Sequence, residues 1–458
     1  MVSFVKELEV RVRKKLNNQF IRNLGWLTGS QLIEKVLRLA ATVVIARYLT
    51  KYDYGLVAMI MTTYEFTQVF TKIGIGGKLI QVEKHRLDEL CNSAYWLNWV
   101  LSVSLFVIQC IASFGVAWFC DAPQLVLPIC ALATVYLITP VGRIQATLIQ
   151  RENRMKITAT INTLKMVLSN AIAAVFAVFG LGMWSLVLGK ILVTPIDFII
   201  SLRCHPWRVS RKFTTEHWGE IFTFGRGILG AALLGKLRDQ LDYLIIARFL
   251  GIEQLGIYYF AFNAGLGISQ SIIQSIAVAL YPHLCSLRFQ WSQFKKRYFS
   301  SLKTISFIVI PFVLTQSILA PFYVPIVFGQ KWIVAIPVLV LICLSAIPRA
   351  FALPPAQLLI VIGKTDLNLL WGGAFTLIFT IGLLIGVQWQ AIGVAWSVLI
   401  IHVIYVPWFL LWSTNFVFNK LKFTQAEPTV ETNPEEEAPA VNERELLPAK
   451  FQLDNFWP

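Results

Sequence analysis

The chain has 458 residues, of which 56% are hydrophobic and only 14% are charged, and its mean hydropathy is +0.64. Soluble domains carry about 25% charged residues, so this composition excludes an ordinary soluble domain and indicates an integral membrane protein. The formal net charge of +15 does not indicate a nucleic-acid partner, because the basic residues lie in short loops between long apolar segments. The seven cysteines lack the spacing of a metal site or a redox motif, so we expect no metal and no cofactor.

The first 23 residues are basic and amphipathic. This pattern is typical of a helix that lies on an anionic cytoplasmic membrane surface. We do not expect a cleaved signal peptide, because the apolar stretch that follows is too long and carries charges in its middle.

Twelve apolar segments of roughly 20–30 residues follow, a length that crosses about 30 Å of hydrocarbon. They predict an all-α integral membrane protein with about twelve transmembrane helices. The predicted spans are 24–49, 54–77, 92–119, 125–149, 157–179, 182–202, 220–249, 255–281, 300–324, 332–362, 367–387 and 391–413. Prolines at 337, 348, 354 and 355 predict a broken or kinked tenth span.

Basic residues are concentrated in the connections that follow even-numbered spans. The connections after odd-numbered spans hold little beyond Lys51 and Lys331. The positive-inside rule therefore predicts that both termini are cytoplasmic, in the inner (plasma) membrane.

A repeat with an offset of 201 residues runs through the sequence. The run Ile45–Leu49 matches Ile246–Leu250, and the same offset relates Gly55 to Gly256. It also relates the pairs Gly29 with Gly230 and Lys35 with Lys236. Each predicted half holds an even number of spans, so the two halves run in the same direction, with a site between them near mid-depth.

The predicted domains follow from this repeat. They are a basic amphipathic segment 1–23, an N-lobe 24–202, a cytoplasmic linker 203–219, a C-lobe 220–413 and a tail 414–458. The tail is rich in Glu and Pro, which predicts a disordered acidic end that either solubilises the protein or serves in docking.

Charged residues lie inside several predicted spans, where each costs about 2.5–3.5 kcal/mol unless it faces a wet cavity or a partner. Cations outnumber acids among them. The cations are Lys35, Arg38, Lys72, Arg143, Lys165, Lys190, Arg226, Lys236 and Arg238, and the acids are Glu34, Glu65, Asp197, Asp239 and Asp242. Predicted spans nine to twelve contain almost no charged residues.

This excess predicts a wet cavity that binds an anion. Arg and Lys suit a pyrophosphate in particular, and the amide side chains beside them suit sugars. The predicted cavity-lining residues are Gln31, Lys35, Arg38, Glu65, Gln68, Arg143, Lys165, Lys236 and Arg238. The candidates for coupling to a proton or a sodium ion are Asp197, Asp239 and Asp242.

Two structural alternatives stay open at this point. Glu34 with Arg38, and Arg238 with Asp242, are spaced four residues apart and could neutralise each other on one helix face. The side chains of Lys72, Arg143 and Lys190 could instead extend to the membrane surface. We expect Lys35, Arg38, Lys165 and Lys236 to lie deeper and to have a functional role, with Lys35, Lys165 and Lys236 unpaired.

Several runs, in this order, resemble bacterial polysaccharide flippases. They are Leu79–Gln81, Ser93–Asn98, Phe224–Gly225, Leu241–Gly251, Leu255–Tyr259 and Tyr281–Pro282. Residues 20–415 are similar to the polysaccharide transporter branch (Wzx and colanic acid exporter type) of the multidrug/oligosaccharidyl-lipid/polysaccharide (MOP) superfamily. The resemblance implies two six-helix lobes with the fold of multidrug (MATE) transporters. Related lipid II flippases carry basic residues in the first helix, where Lys35 lies here.

The resemblance also implies a function, in which alternating access moves undecaprenyl-pyrophosphate-linked oligosaccharide to the periplasmic leaflet. The implied partners are this lipid, membrane lipids and, as candidates, polysaccharide polymerase or export proteins. A drug or cation antiporter of the same fold would need acids to dominate the cavity. A membrane glycosyltransferase or polymerase would need a catalytic extramembrane loop, so we expect no enzymatic activity. A scaffold for the export machinery would not account for charges inside the spans.

Overall fold

The fold is an assembly of α-helices, and the part of the chain that the structure describes contains no strand. The computed structural model describes residues 37–420 except 73, 211, 268, 271–272, 274–279, 281–283 and 286–289. The predictions for residues 1–23, for most of the acidic tail, for Gln31, Glu34 and Lys35, and for the Lys72 side chain lie outside the described residues.

The helices of the described residues fall into two series, eight in the first repeat and seven in the second. In the first repeat they are α1 (described over 37–48), α2 (Lys51–Val69), α3 (Ile75–Gln81), α4 (Leu87–Phe119), α5 (Val126–Ile138), α6 (Pro140–Arg151), α7 (Met155–Val178) and α8 (Trp184–Cys204). In the second repeat they are α9 (Trp218–Leu250), α10 (Ile252–Ala261), α11 (Trp291–Tyr323), α12 (Ile336–Phe351), α13 (Leu353–Val361), α14 (Thr365–Gly386) and α15 (Gln390–Asn415). Turns of π-helix extend three of them, over Phe262–Leu266, Val324–Phe328 and Phe416–Lys420.

Each repeat contains a broken helix at the corresponding place. Helix α5 ends at Ile138 and α6 starts at Pro140, with a bend of 55° between the two segments. Proline lacks the backbone N–H that would continue the helix, so it begins a new helix readily. The tenth predicted span is likewise two helices that meet at Ala352, which confirms the predicted break.

Six helical runs within the described residues are long and apolar enough to cross a membrane, or seven when the bent α5–α6 pair counts as one span. The longest run, Thr365–Phe418, holds both α14 and α15, which pack against each other. The chain reverses between them near Gln390, whose φ is +60°. The total of twelve spans stays a prediction.

The two repeats pack most tightly where α2 crosses α10, at Gly55 and Gly256. A Cβ atom on either glycine would overlap the backbone of the other helix, so only hydrogen fits there. Beside this point the buried Trp332 ring stacks on Phe260, with 3.9 Å between centroids, and its indole N–H donates to the carbonyl of Ala46 at 2.9 Å. We call these five residues the glycine crossing. It holds the repeats together at the end of the bundle where α2 and α10 begin.

A second contact between the repeats lies at the start of α9. The Glu220 carboxylate accepts from Lys78 at 2.6 Å and from Arg86 at 3.2 Å. These ion pairs join the first turn of α9 to the α3–α4 region. The two repeats are therefore in contact at this end as well.

Candidate functional site: two charged cavities inside the helix bundle

One charged cavity lies mainly within the first repeat and has a volume of about 500 Å³. It is lined by residues of α1, α2, α5, α6, α7 and α8 and by Tyr259 of α10, and we call it the first-repeat cavity. Its charged lining residues are Arg38, Glu65, Arg143, Lys165, Lys190 and Asp197. Four cations therefore face two carboxylates, which leaves an excess of two positive charges.

Lys165 and Asp197 form an ion pair across this cavity, with 2.6 Å between Nζ and Oδ2. Each side chain keeps about a third of its surface exposed (34% and 35%), so the pair lies at the wall of the cavity and not in a sealed core. The expectation that Lys165 has no partner is therefore wrong, because α7 and α8 pack side by side and bring the two residues together.

Arg143 and Lys190 line the same cavity, and neither has a carboxylate within 4.0 Å among the described residues. Lys190 Nζ lies 4.4 Å from the ring centroid of Tyr64, a cation–π contact. Arg143 follows Gly142, which lets α6 approach α8 so closely that a Cβ there would be 2.6 Å from Cα of Phe198. Both cations point into the bundle, so the alternative in which they extend to the membrane surface is wrong.

Arg38 and Gln68 lie at the edge of the first-repeat cavity. Arg38 is half-buried, and its guanidinium donates to the carbonyl of Gly267 at 3.4 Å. Gln68 is exposed and donates to the hydroxyl of Tyr64 at 3.2 Å. At this edge, polar side chains of the first repeat thus meet a backbone carbonyl of the second.

A polar bridge joins α2 to α9 at the junction between the first-repeat cavity and a second one. The Glu65 carboxylate accepts from Lys236 and from Gln240 Nε2, the latter at 3.4 Å. Thr62 donates to Gln240 Oε1 at 2.9 Å. Lys236 therefore has a partner, contrary to the sequence-based expectation. We call these four residues the α2–α9 bridge.

The second-repeat cavity consists of two adjoining spaces of about 290 and 350 Å³. Both are lined by Arg238, Asp239, Gln270, Arg349, Phe375 and His402. The smaller space also shares Met61, Glu65 and Tyr259 with the first-repeat cavity. The charged interior of the protein is thus one series of spaces that runs from the first repeat through the α2–α9 bridge into the second.

Asp242 is buried beside this cavity and makes two hydrogen bonds. It accepts from the hydroxyl of Tyr258 at 2.8 Å and from the backbone N–H of Tyr243 at 2.9 Å. Arg238 lies nearest to Asp239, with 3.8 Å between Nε and Oδ1. The alternative of an Arg238–Asp242 pair is therefore wrong, because packing of α10 against α9 gives Asp242 a closer donor.

Two lining residues of the second-repeat cavity were missed in the sequence. Arg349 lies near the end of α12, so the tenth span is not free of charge, and a lone Arg in an apolar run was the available signal. His402 is buried in α15, with Nδ1 2.7 Å from the carbonyl of Val398. That contact assigns the proton to Nδ1 and leaves Nε2 as an acceptor.

The geometry gathers most of the predicted site residues along these cavities. Arg38, Glu65, Gln68, Arg143, Lys165 and Asp197 line the first-repeat cavity, and Lys236, Arg238, Asp239 and Asp242 line the second. No group of three or more His, Cys, Asp or Glu side chains within the described ranges could hold a metal ion.

Comparison with known proteins gives the family. The profile of the family described as "Polysaccharide biosynthesis protein" matches residues 44–337. The teichuronic acid biosynthesis protein TuaB of Bacillus subtilis is 24% identical over 392 residues, which cover 85% of this chain and 81% of TuaB. The lipopolysaccharide biosynthesis protein WzxC of Escherichia coli is 24% identical over 402 residues, which cover 85% and 80% of the two chains.

Solved structures give the same fold. A lipid II flippase MurJ in an inward closed conformation superposes with a TM-score of 0.69 at 15% identity, over 85% of this chain and 87% of MurJ. A multidrug resistance MATE family transporter in an inward-facing conformation superposes with a TM-score of 0.70 at 14% identity, over 86% and 96% of the chains. The predicted all-α MOP fold is thereby confirmed. The chain is a multi-pass membrane protein of the MOP fold, and it belongs to the polysaccharide biosynthesis protein family.

Proposed function

We propose that this protein is a flippase that moves an undecaprenyl-pyrophosphate-linked oligosaccharide from the cytoplasmic to the periplasmic leaflet by alternating access. The observation that carries the proposal is the first-repeat cavity, where four cations face two carboxylates inside a membrane-embedded bundle. A pyrophosphate that joins a lipid to a sugar is a dianion at neutral pH, which matches this excess. The names of TuaB, WzxC and MurJ point to the same class of cargo.

We assign the pyrophosphate to Arg143, Lys190 and Lys165. Arg143 and Lys190 have no carboxylate within 4.0 Å among the described residues, so a phosphate oxygen would be their first anionic partner. Lys165 is held by Asp197 and would become available when an anion competes with that carboxylate. Charge-assisted hydrogen bonds from guanidinium and ammonium groups are the strongest that a protein offers to phosphate.

The charge balance separates this proposal from its rivals. In an exporter of cationic drugs, the cargo would be repelled by Arg143 and Lys190 inside a low-dielectric bundle, which would cost free energy. A scaffold would gain nothing from cations that cost free energy to bury. We propose that the protein carries out no covalent chemistry, and that polymerase or export proteins receive its product.

We further propose that the protein lies in the inner membrane with both termini in the cytoplasm. The support is the concentration of basic residues in the connections after even-numbered spans. The glycine crossing would then face the periplasm. Fusing alkaline phosphatase or a fluorescent protein to each terminus tests this, and phosphatase activity at either terminus would contradict it.

For ion coupling we propose Asp242 and a proton. Asp242 is buried and lies on α9, the helix that also supplies Lys236 to the α2–α9 bridge. Its protonation would weaken the hydrogen bond from Tyr258 and so link a proton to helix packing. We expect a pH gradient to accelerate transport by the wild type but not by Asp242→Asn. Acceleration of both proteins would contradict the assignment.

The decisive experiment is reconstitution into proteoliposomes. The cargo is the lipid-linked repeat unit that accumulates in the native host when the gene is deleted, and its transfer is followed with an impermeant glycosidase. We expect wild-type vesicles to expose the glycan faster than empty vesicles. Arg143→Gln together with Lys190→Gln should reduce the rate at least about tenfold, which is about 1.4 kcal/mol. Equal rates for wild type and empty vesicles would overturn the proposal.

A further inference from the structure

We propose that the second-repeat cavity is the sugar subsite, and that it holds an acidic sugar whose carboxylate pairs with Arg349. This inference rests on the proposed function and adds to it the class of glycan. It divides the cargo between the two cavities, with the pyrophosphate in the first repeat and the glycan in the second.

The first support is an aromatic wall. Trp371, Phe375, Tyr405 and Phe409 line the larger space of the second-repeat cavity. Trp371 lies at the centre of the group, with ring-centroid distances of 5.6 Å to Tyr405 and 5.2 Å to Phe409. A pyranose ring has faces covered by C–H groups, which pack on aromatic rings. The first-repeat cavity is lined by three aromatic residues, Tyr64, Phe198 and Tyr259, which come from three different helices.

The second support is the set of polar side chains around this wall. Gln270 and Asn368 offer amides, which both donate and accept, and Asp239 offers a carboxylate that is mostly exposed to the cavity. Side chains of this kind can form paired hydrogen bonds with neighbouring hydroxyls. A cavity with an apolar wall and a few convergent polar groups is the common form of a small-ligand site, and 350 Å³ lies within the usual range of about 300–1,000 Å³.

The third support is the state of Arg349. Its Nε is buried and has no hydrogen-bond partner among the described residues. Among the same residues, no carboxylate lies within 4.0 Å of the Arg349 guanidinium. Over both spaces the cations Lys236, Arg238 and Arg349 balance the acids Glu65, Asp239 and Asp242. The larger space alone is lined by Arg238 and Arg349 against Asp239, a local excess of one positive charge. A buried guanidinium nitrogen without a hydrogen-bond partner is costly, and a carboxylate can pair with a guanidinium in a bidentate geometry.

The arrangement also fits the connectivity of the cargo. The two cavities meet at Met61, Glu65 and Tyr259, so a pyrophosphate in the first has a sugar attached at the entrance to the second. The α2–α9 bridge lies at this junction. A glycan that continues from the pyrophosphate would pass Lys236 and reach Arg349 and the aromatic wall.

The test compares the binding of two lipids to purified protein in nanodiscs. One is the lipid-linked repeat unit from the deletion host, and the other is undecaprenyl pyrophosphate without sugar. We expect Trp371→Ala and Arg349→Gln each to weaken binding of the repeat-unit lipid at least about tenfold and to leave undecaprenyl pyrophosphate unaffected. Arg143→Gln should weaken both. Trp371→Phe and Arg349→Lys should restore part of the lost affinity.

The matched control is Trp408→Ala. Trp408 contacts Trp371 at 5.2 Å, yet it is 60% exposed on the outer surface and does not line the cavity. We expect it to leave both affinities unchanged. Chemical reduction of the carboxyl groups in the repeat unit should abolish the difference between wild type and Arg349→Gln.

The outcomes separate the two proposals. If wild-type protein binds neither lipid, the proposed function fails. If it binds both, but Trp371→Ala and Arg349→Gln weaken them equally or not at all, the sugar subsite alone is wrong. A repeat unit without any acidic sugar would overturn the role given to Arg349.

Discussion

Gly55 and Gly256 make the same contact in opposite directions. Gly55 lies against the carbonyl of Ile252, and Gly256 lies against the carbonyl of Lys51. Both the glycines and the carbonyl residues are 201 positions apart in the sequence. The crossing of α2 and α10 is therefore a point on the approximate twofold axis between the repeats, where two backbones touch because neither carries a side chain.

We predict that Gly256→Ala forces α2 and α10 apart. The added methyl group would overlap the Lys51 backbone, which cannot move aside as a flexible side chain could. Overpacking of this kind costs about 1–3 kcal/mol. We expect a lower melting temperature in detergent and slower transport in proteoliposomes. Gly115→Ala is the matched control, because a Cβ there meets nothing within 4 Å. Equal melting temperatures for the two variants would contradict the prediction.

Trp332→Ala should loosen the same end of the bundle. Trp332 is fully buried, stacks on Phe260 and donates to the carbonyl of Ala46. Removing a large buried aromatic side chain typically costs about 3–5 kcal/mol. The control is Trp389→Ala, since Trp389 is 63% exposed. Thermal unfolding of the three proteins provides the measurement, and a loss no larger for Trp332→Ala than for Trp389→Ala would count against this packing role.

The Glu65–Lys236 pair should show strong coupling in a double-mutant cycle. Glu65→Lys leaves two cations facing each other between α2 and α9, and Lys236→Glu leaves two carboxylates. We expect either single change to reduce transport at least about tenfold. The exchange Glu65→Lys with Lys236→Glu should recover most of the rate, because the attraction is restored. The same cycle on the exposed Lys51–Glu253 pair, at 4.0 Å, should show little coupling. No recovery in the exchanged protein would show that the pair does more than join the helices.

Asp197→Asn should increase affinity for undecaprenyl pyrophosphate. The change removes the carboxylate that holds Lys165 at 2.6 Å and leaves one more positive charge in the first-repeat cavity. We expect several-fold tighter binding with a steeper dependence on salt, because added salt screens the new attraction. Asp366→Asn, at the exposed start of α14, is the control for the loss of one negative charge elsewhere. Unchanged or weaker binding by Asp197→Asn would argue against an anion site here.

The sequence was sufficient for the features that depend on composition and local pattern. The lengths of the apolar segments predicted the helices, and the prolines near residue 352 predicted a break. The 201-residue offset identified Gly55 and Gly256 as equivalent positions. Mid-span charge marked Arg143 and Lys165 as residues that need a cavity or a partner.

The partners of these charged residues could not be predicted from the sequence. Glu65 and Lys236 are 171 positions apart, and they meet because α2 crosses α9. Arg238 and Asp242 have the spacing of a helical pair, but the hydroxyl of Tyr258 on the next helix lies within hydrogen-bond distance of Asp242. Such contacts depend on how helices pack, which local pattern does not determine. Arg349 was overlooked because the residues around it are apolar.

The first helix is hydrogen-bonded to residues that the ribosome adds much later. Six hydrogen bonds join Arg38, Ala46, Arg47 and Leu49 to Gly267, Ile326, Val327, Lys331 and Trp332. While the ribosome is still translating the first half, none of these partners exists. After insertion, Arg47 and the Ala46 carbonyl therefore lack these partners until the chain is more than 330 residues long. Membrane insertion of this protein would then end with closure of its first helix onto its second half.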